Sequence, residues 1–133
     1  MASFENHWNM AQSLLSDMRQ ADPEQAWPVV VDAGYYAMFH TIEALNALEC
    51  RDSFTFADFA DVLDHVLTGR IVDPSLRDAY HYLFYFRRGT IYGCHTPTTG
   101  QMREYAQIVE DGIAHLRLRM TRAEKPIFFA STE

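Results

Sequence analysis

The 133-residue sequence predicts a single all-α domain, an up-and-down bundle of four to five helices. Three observations carry this. Apolar residues recur at helical spacing along most of the chain, and no strand-like alternation competes with them. The breaks fall at Pro, Gly and Asp and leave only short connections, which make consecutive helices antiparallel neighbours. A composition of 48% hydrophobic and 14% aromatic residues supplies a core without disulfides or metals.

The first helix is expected from about Ser3, a capping residue, to Arg19, with Trp8, Ala11, Leu15 and Met18 on one stripe. Ala21-Asp22-Pro23 ends it. A second is expected from about Glu24 to Glu49, bent or restarted at Pro28. It is apolar on two sides: Val31, Tyr35, Met38, Ile42 and Leu45 on one, Val30, Ala33, Ala37, Ala44 and Leu48 on another. That pattern belongs to a central helix, or to one lying between a core and a partner subunit.

A short third helix is expected from about Ala57 to Thr68, closed by Gly69. Asp73-Pro74 opens the fourth, which runs through Leu76, Tyr80, Leu83 and Phe84 to about Tyr92, with Gly93 as its stop. His95 to Gly100 reads as a turn. The fifth helix is expected from about Gln101 to Arg122, burying Met102, Tyr105, Ile108, Val109, Ile113 and Leu116. Residues 1–125 thus form the domain and 126–133 a tail.

The opening Met1-Ala2-Ser3-Phe4-Glu5 has neither a basic nor an apolar signal-peptide region, and no run of about 18 apolar residues predicts a membrane span. Two cysteines without metal-ligand spacing suit a reducing cytoplasm, and no metal or cofactor is expected. The net charge of −7 is uneven. Residues 1–66 carry 11 acidic and 2 basic residues, residues 67–133 carry 7 and 9, and ten of the eleven cations are Arg. A local basic surface in the second half is compatible with an anionic partner.

Two constellations carry chemistry. On the fourth helix His81, Tyr85, Arg88 and Tyr92 share a face, with Arg87 beside them and His95 just beyond the helix end. On the second, Asp32, Tyr36, His40 and Glu43 line one face of an otherwise buried element. Charges there need partners, and Glu43 or Asp32 pairing with Arg87 or Arg88 supplies them. Arg holds phosphate charge bidentately, and His exchanges protons near neutral pH. The pair suits metal-independent RNA cleavage: the 2′-hydroxyl attacks its own phosphate, His95 moves the proton and Arg88 stabilises the charged phosphorus. Arg87 would then assist and Glu43 orient. Tyr92, His40, Tyr36, His81 and Tyr85 are the candidate binding residues. In the purely structural alternative, Arg88 neutralises a buried carboxylate and His95 is a loop residue.

Tyr35-Tyr36-Ala37-Met38-Phe39-His40-Thr41-Ile42-Glu43-Ala44-Leu45 resembles the second-helix signature of the HEPN superfamily, the higher-eukaryote and prokaryote nucleotide-binding domain. Leu83-Phe84-Tyr85-Phe86-Arg87-Arg88-Gly89-Thr90-Ile91-Tyr92-Gly93 resembles its Arg-bearing helix, and the likeness covers roughly residues 8–120. The resemblance implies a homodimeric helical bundle with Arg and His at the dimer cleft. Many members are ribonucleases of toxin–antitoxin or defence systems; others are non-catalytic partners of nucleotidyltransferases or nucleotide sensors. Two motif alignments compete. Arg88 and His95, with six residues between them, fit the outer limit of the catalytic pattern, although Gly89 stands where a polar residue is usual. Arg87 and Tyr92, with four between them, fit the pattern common among nucleotidyltransferase partners.

Overall fold

The computed structural model describes residues 4–49 and 74–124. They form an all-α bundle of α1 (Phe4–Gln20), α2 (Trp27–Glu49), α3 (Pro74–Arg87), which continues into a π-helical turn (Arg88–Tyr92), and α4 (Thr99–Glu124). The expected third helix, the Ser3 and Asp73 caps, Cys50, His65 and the tail lie outside the described residues.

Contacts fix the directions. Thr99 meets Glu24, Arg19 meets Glu110 and Arg117 lies over Trp8, so α4 runs antiparallel to α1. Tyr105 reaches Val31 while Gly112 faces Met38, so α4 runs parallel to α2. Helix α2 is the centre, buried on both of the sides its apolar pattern marks: Val30, Val31, Ala33, Tyr35, Ala37, Met38, Ile42, Ala44, Leu45 and Leu48. From α1 it receives Ala11, Leu15 and Met18, from α3 Leu76, Tyr80 and Leu83, and from α4 Met102, Tyr105, Val109, Ile113 and Leu116. Trp8 and Ile108, expected on the buried stripes, are only partly buried at the core edge.

Two boundaries differ from expectation. Helix α2 starts at Trp27 rather than Glu24. The Asp22 carboxylate accepts from the Glu24 amide and its carbonyl from the Ala26 amide, closing residues 22–26 into a turn. Pro28 then sits in the first turn of α2, where its missing N–H costs nothing, so the helix restarts there as expected. Helix α4 starts at Thr99, two residues early. Thr98 Oγ1 accepts from the Gln101 amide at 3.1 Å, and Gln101 Oε1 accepts from the Thr98 amide at 2.8 Å. This is a reciprocal capping box. Thr98→Ala is expected to lower stability by about 1 kcal/mol in urea denaturation, while Thr98→Ser retains it.

The fourth predicted helix reaches Tyr92 as expected, but its last turn is wound wider. Thr90 Oγ1 donates to the Phe86 carbonyl at 2.8 Å and so competes with the regular backbone bond, a habit of Thr that bends helices. Beyond it the Gly93 amide bonds the Arg88 carbonyl, and the His95 amide bonds the Thr90 carbonyl, each five residues back. A Cβ on Gly93 would collide with the Gly89 carbonyl oxygen, so glycine is required there. Cys94 follows with φ 55°.

Candidate functional site

The π-helical turn decides which arginine does what. A regular helix places Arg88 and Tyr92 one turn apart. The wider turn instead sets Arg87 against Tyr92, five positions on. Arg87 Nη2 donates to Tyr92 Oη at 3.3 Å and to Tyr36 Oη at 3.2 Å, and its Nε donates to Asp32 Oδ1 at 2.8 Å. Its guanidinium carbon lies 5.2, 5.1 and 5.2 Å from the ring centres of Tyr35, Tyr36 and Tyr92. Burial works against the charge of Arg87, but the bonds from Asp32 and Tyr92 outweigh it and raise the pKa above the usual arginine value. Behind this cage Tyr35 and Tyr80 share a hydroxyl hydrogen bond of 2.8 Å, which fixes the Tyr35 ring under the guanidinium.

Of the two carboxylates offered as partners for the arginines, Asp32 takes the role with Arg87. Glu43 bonds neither arginine: its carboxyl is half-buried, has no hydrogen-bond or ion-pair partner among the described residues, and burial raises its pKa. An orienting role for Glu43 toward Arg88 or His95 has no contact behind it.

Arg88 points to solvent, and its side chain makes no hydrogen bond or ion pair among the described residues. Phe84, Arg87, Arg88 and Tyr92 together line a cavity of about 250 Å³. It presents two guanidiniums beside two aromatic rings. Tyr92, 68% exposed, and Tyr85, 63% exposed, continue an aromatic surface outward, where His81 packs edge-on against Tyr85 at 6.5 Å. His95 is exposed, and is not among the residues lining the cavity. Its backbone is nonetheless tied to Thr90 within the same turn.

His40 lies apart from this cluster. Its Nδ1 is 3.0 Å from Nδ1 of His7, so one imidazole donates to the other between α1 and α2. His7 is half-buried, and nothing in the spacing of either helix alone shows which residues their packing will pair. Burial lowers the pKa of His7; burial and then the neighbouring His7 lower that of His40. Both groups bind protons more readily in the unfolded chain, whose histidines titrate near 6.5. Their contribution is therefore complete above that value and lost as pH falls through it toward the folded-state values. Urea midpoints are expected to drop between pH 7.5 and about 5.5, and His40→Gln is expected to flatten that slope.

No family model matches this chain, and no curated protein or solved structure gives a significant match. No described helix is long and apolar enough to cross a membrane.

Proposed function

We propose that this chain is a non-catalytic, HEPN-like nucleotide-binding module, acting as a nucleotide sensor or as the antitoxin-like partner of a nucleotidyltransferase. The cavity of Phe84, Arg87, Arg88 and Tyr92 carries the reading. A nucleotide needs a cation for its phosphate and a flat apolar surface for its base, and the cavity offers both. Arg88, whose side chain has no hydrogen-bond or ion-pair partner among the described residues, is the cation that meets the phosphate. Arg87, already held by Asp32 and three tyrosines, positions Tyr92 and adds positive potential. The motif pair joined by a contact is Arg87 with Tyr92, the spacing of the nucleotidyltransferase-partner pattern. The expected homodimer belongs to the same reading, with the exposed Tyr85 and Tyr92 surface beside the cavity.

Calorimetric titration with ADP tests this. Saturable binding is expected, weakened at least about tenfold in Arg88→Ala. Heats indistinguishable from dilution would remove the reading.

One observation favours a second reading, metal-independent RNA cleavage. Arg88 and His95 are both exposed with side chains unpaired among the described residues, and the His95 amide, donating to the Thr90 carbonyl, ties the segment of His95 to the π-helical turn that carries Arg88. The module reading expects intact RNA after incubation with micromolar protein in EDTA. Degradation that His95→Ala abolishes would favour the enzyme instead.

A further inference from the structure

A second cavity is larger than the one at Arg88. About 590 Å³ in volume, it lies along the seam of α1 and α2 and is open to solvent. Leu14, Val29 and Ala33 give it apolar walls, and Asp17, Asp32 and Tyr36 give it polar ones. Val29 is 49% exposed, an apolar surface left uncovered beside two carboxylates.

Those carboxylates are under-compensated. Among the described residues, the Asp17 side chain has no hydrogen-bond or ion-pair partner, and only one Asp32 oxygen is engaged, by Arg87 Nε. The surrounding first half of the chain holds 11 acidic and 2 basic residues. Charge complementarity therefore selects a cation with an apolar body, and repels phosphate. A guanidinium fits better than an ammonium, because its planar fork offers donors to two carboxylates at once. An open groove along two helices suits a side chain presented by a protein segment rather than a small molecule, whose sites enclose most of the ligand.

We infer that the α1–α2 groove receives an arginine side chain, flanked by apolar residues, from a partner protein, with Asp17 and Asp32 as its anionic ligands. The arginine takes the second oxygen of Asp32 and so shares that carboxylate with Arg87. Occupation of the groove is thereby felt at the Arg87 cage. The inference does not depend on nucleotide binding, since Arg88 and Phe84 take no part in it.

The test is a titration of ¹⁵N-labelled protein with a blocked pentapeptide holding one arginine between two leucines, alongside a twin carrying neutral citrulline. Saturable shifts are expected at the Val29, Asp32 and Ala33 amides and at Arg87 Nε–H, with millimolar affinity. The citrulline twin should bind at least about tenfold more weakly. Asp17→Asn, a change at an exposed position that leaves the Arg87 cage untouched, should weaken the arginine peptide about threefold or more. Arg88→Ala should leave it unchanged, which separates this site from the nucleotide cavity. Absence of saturable shifts up to about 10 mM peptide, equal binding of the twin, or shifts centred away from the groove would each overturn the inference.

Discussion

Arg87→Ala is expected to abolish ADP binding and to lower the free energy of unfolding by about 2–3 kcal/mol. The stability loss comes mainly from the rings. Three tyrosines stack on the guanidinium, each worth about 0.5–1 kcal/mol at a partly exposed site. The ion pair adds less than its 2.8 Å distance suggests, because the Asp32 side chain is 47% exposed and is solvated once its partner is gone. The binding loss follows from position: Arg87 is the side chain that holds Tyr92 at the cavity among the described residues. Arg87→Lys keeps the charge but not the fork, and is expected to recover less than half of either quantity. Urea denaturation and ADP titration of the two variants check both values.

Gly34→Leu is expected to be more damaging, costing about 3 kcal/mol or more, or preventing folding. Helix α2 lies so close to its neighbours at Gly34 that a Cβ there would sit 2.9 Å from Met18 Sδ and 3.1 Å from Tyr105 Cε1 and Val109 Cγ2. These atoms belong to α1 and α4, so a larger side chain pushes two helices apart at once. Gly34→Ala meets the same atoms with one methyl, and its better helix propensity, worth about 1 kcal/mol, offsets part of the crowding. A net loss well below that of leucine is expected by thermal unfolding. The Tyr105 hydroxyl, buried and donating to the Val31 carbonyl at 2.8 Å, is the polar contact most exposed to such a shift.

Among the described residues, the fold was legible because burial follows helical periodicity. Both apolar sides of α2, and the Ala11, Leu15 and Met18 stripe of α1, are buried as their spacing predicts. What the spacing missed was written in side-chain to backbone bonds. Thr98-Thr99-Gly100-Gln101 is a capping signature that reads as a plain turn if Gln101 is not taken together with Thr98. The Thr90 bond to Phe86 widens the turn after Arg87, and no hydrophobic pattern records it. That single change turns an expected Arg88–Tyr92 face into an Arg87–Tyr92 contact. The partner of Arg87 was narrowed to Asp32 or Glu43 from charge alone, but choosing between them needs the register of α2 against α3. The same holds for His7 and His40, which lie on separate helices and meet only through packing.

Division of labour between neighbouring arginines is the centre of this account: Arg87 positions, Arg88 binds. The most direct measurement follows the arginine Nε–H resonances of ¹⁵N-labelled protein during ADP addition. Arg88 should move saturably and gain protection from solvent exchange, while Arg87, already protected before ligand is added, should shift little. An Arg88 resonance that stays fixed at saturating nucleotide, or an Arg87 resonance exchanging as freely as a surface arginine, would contradict it.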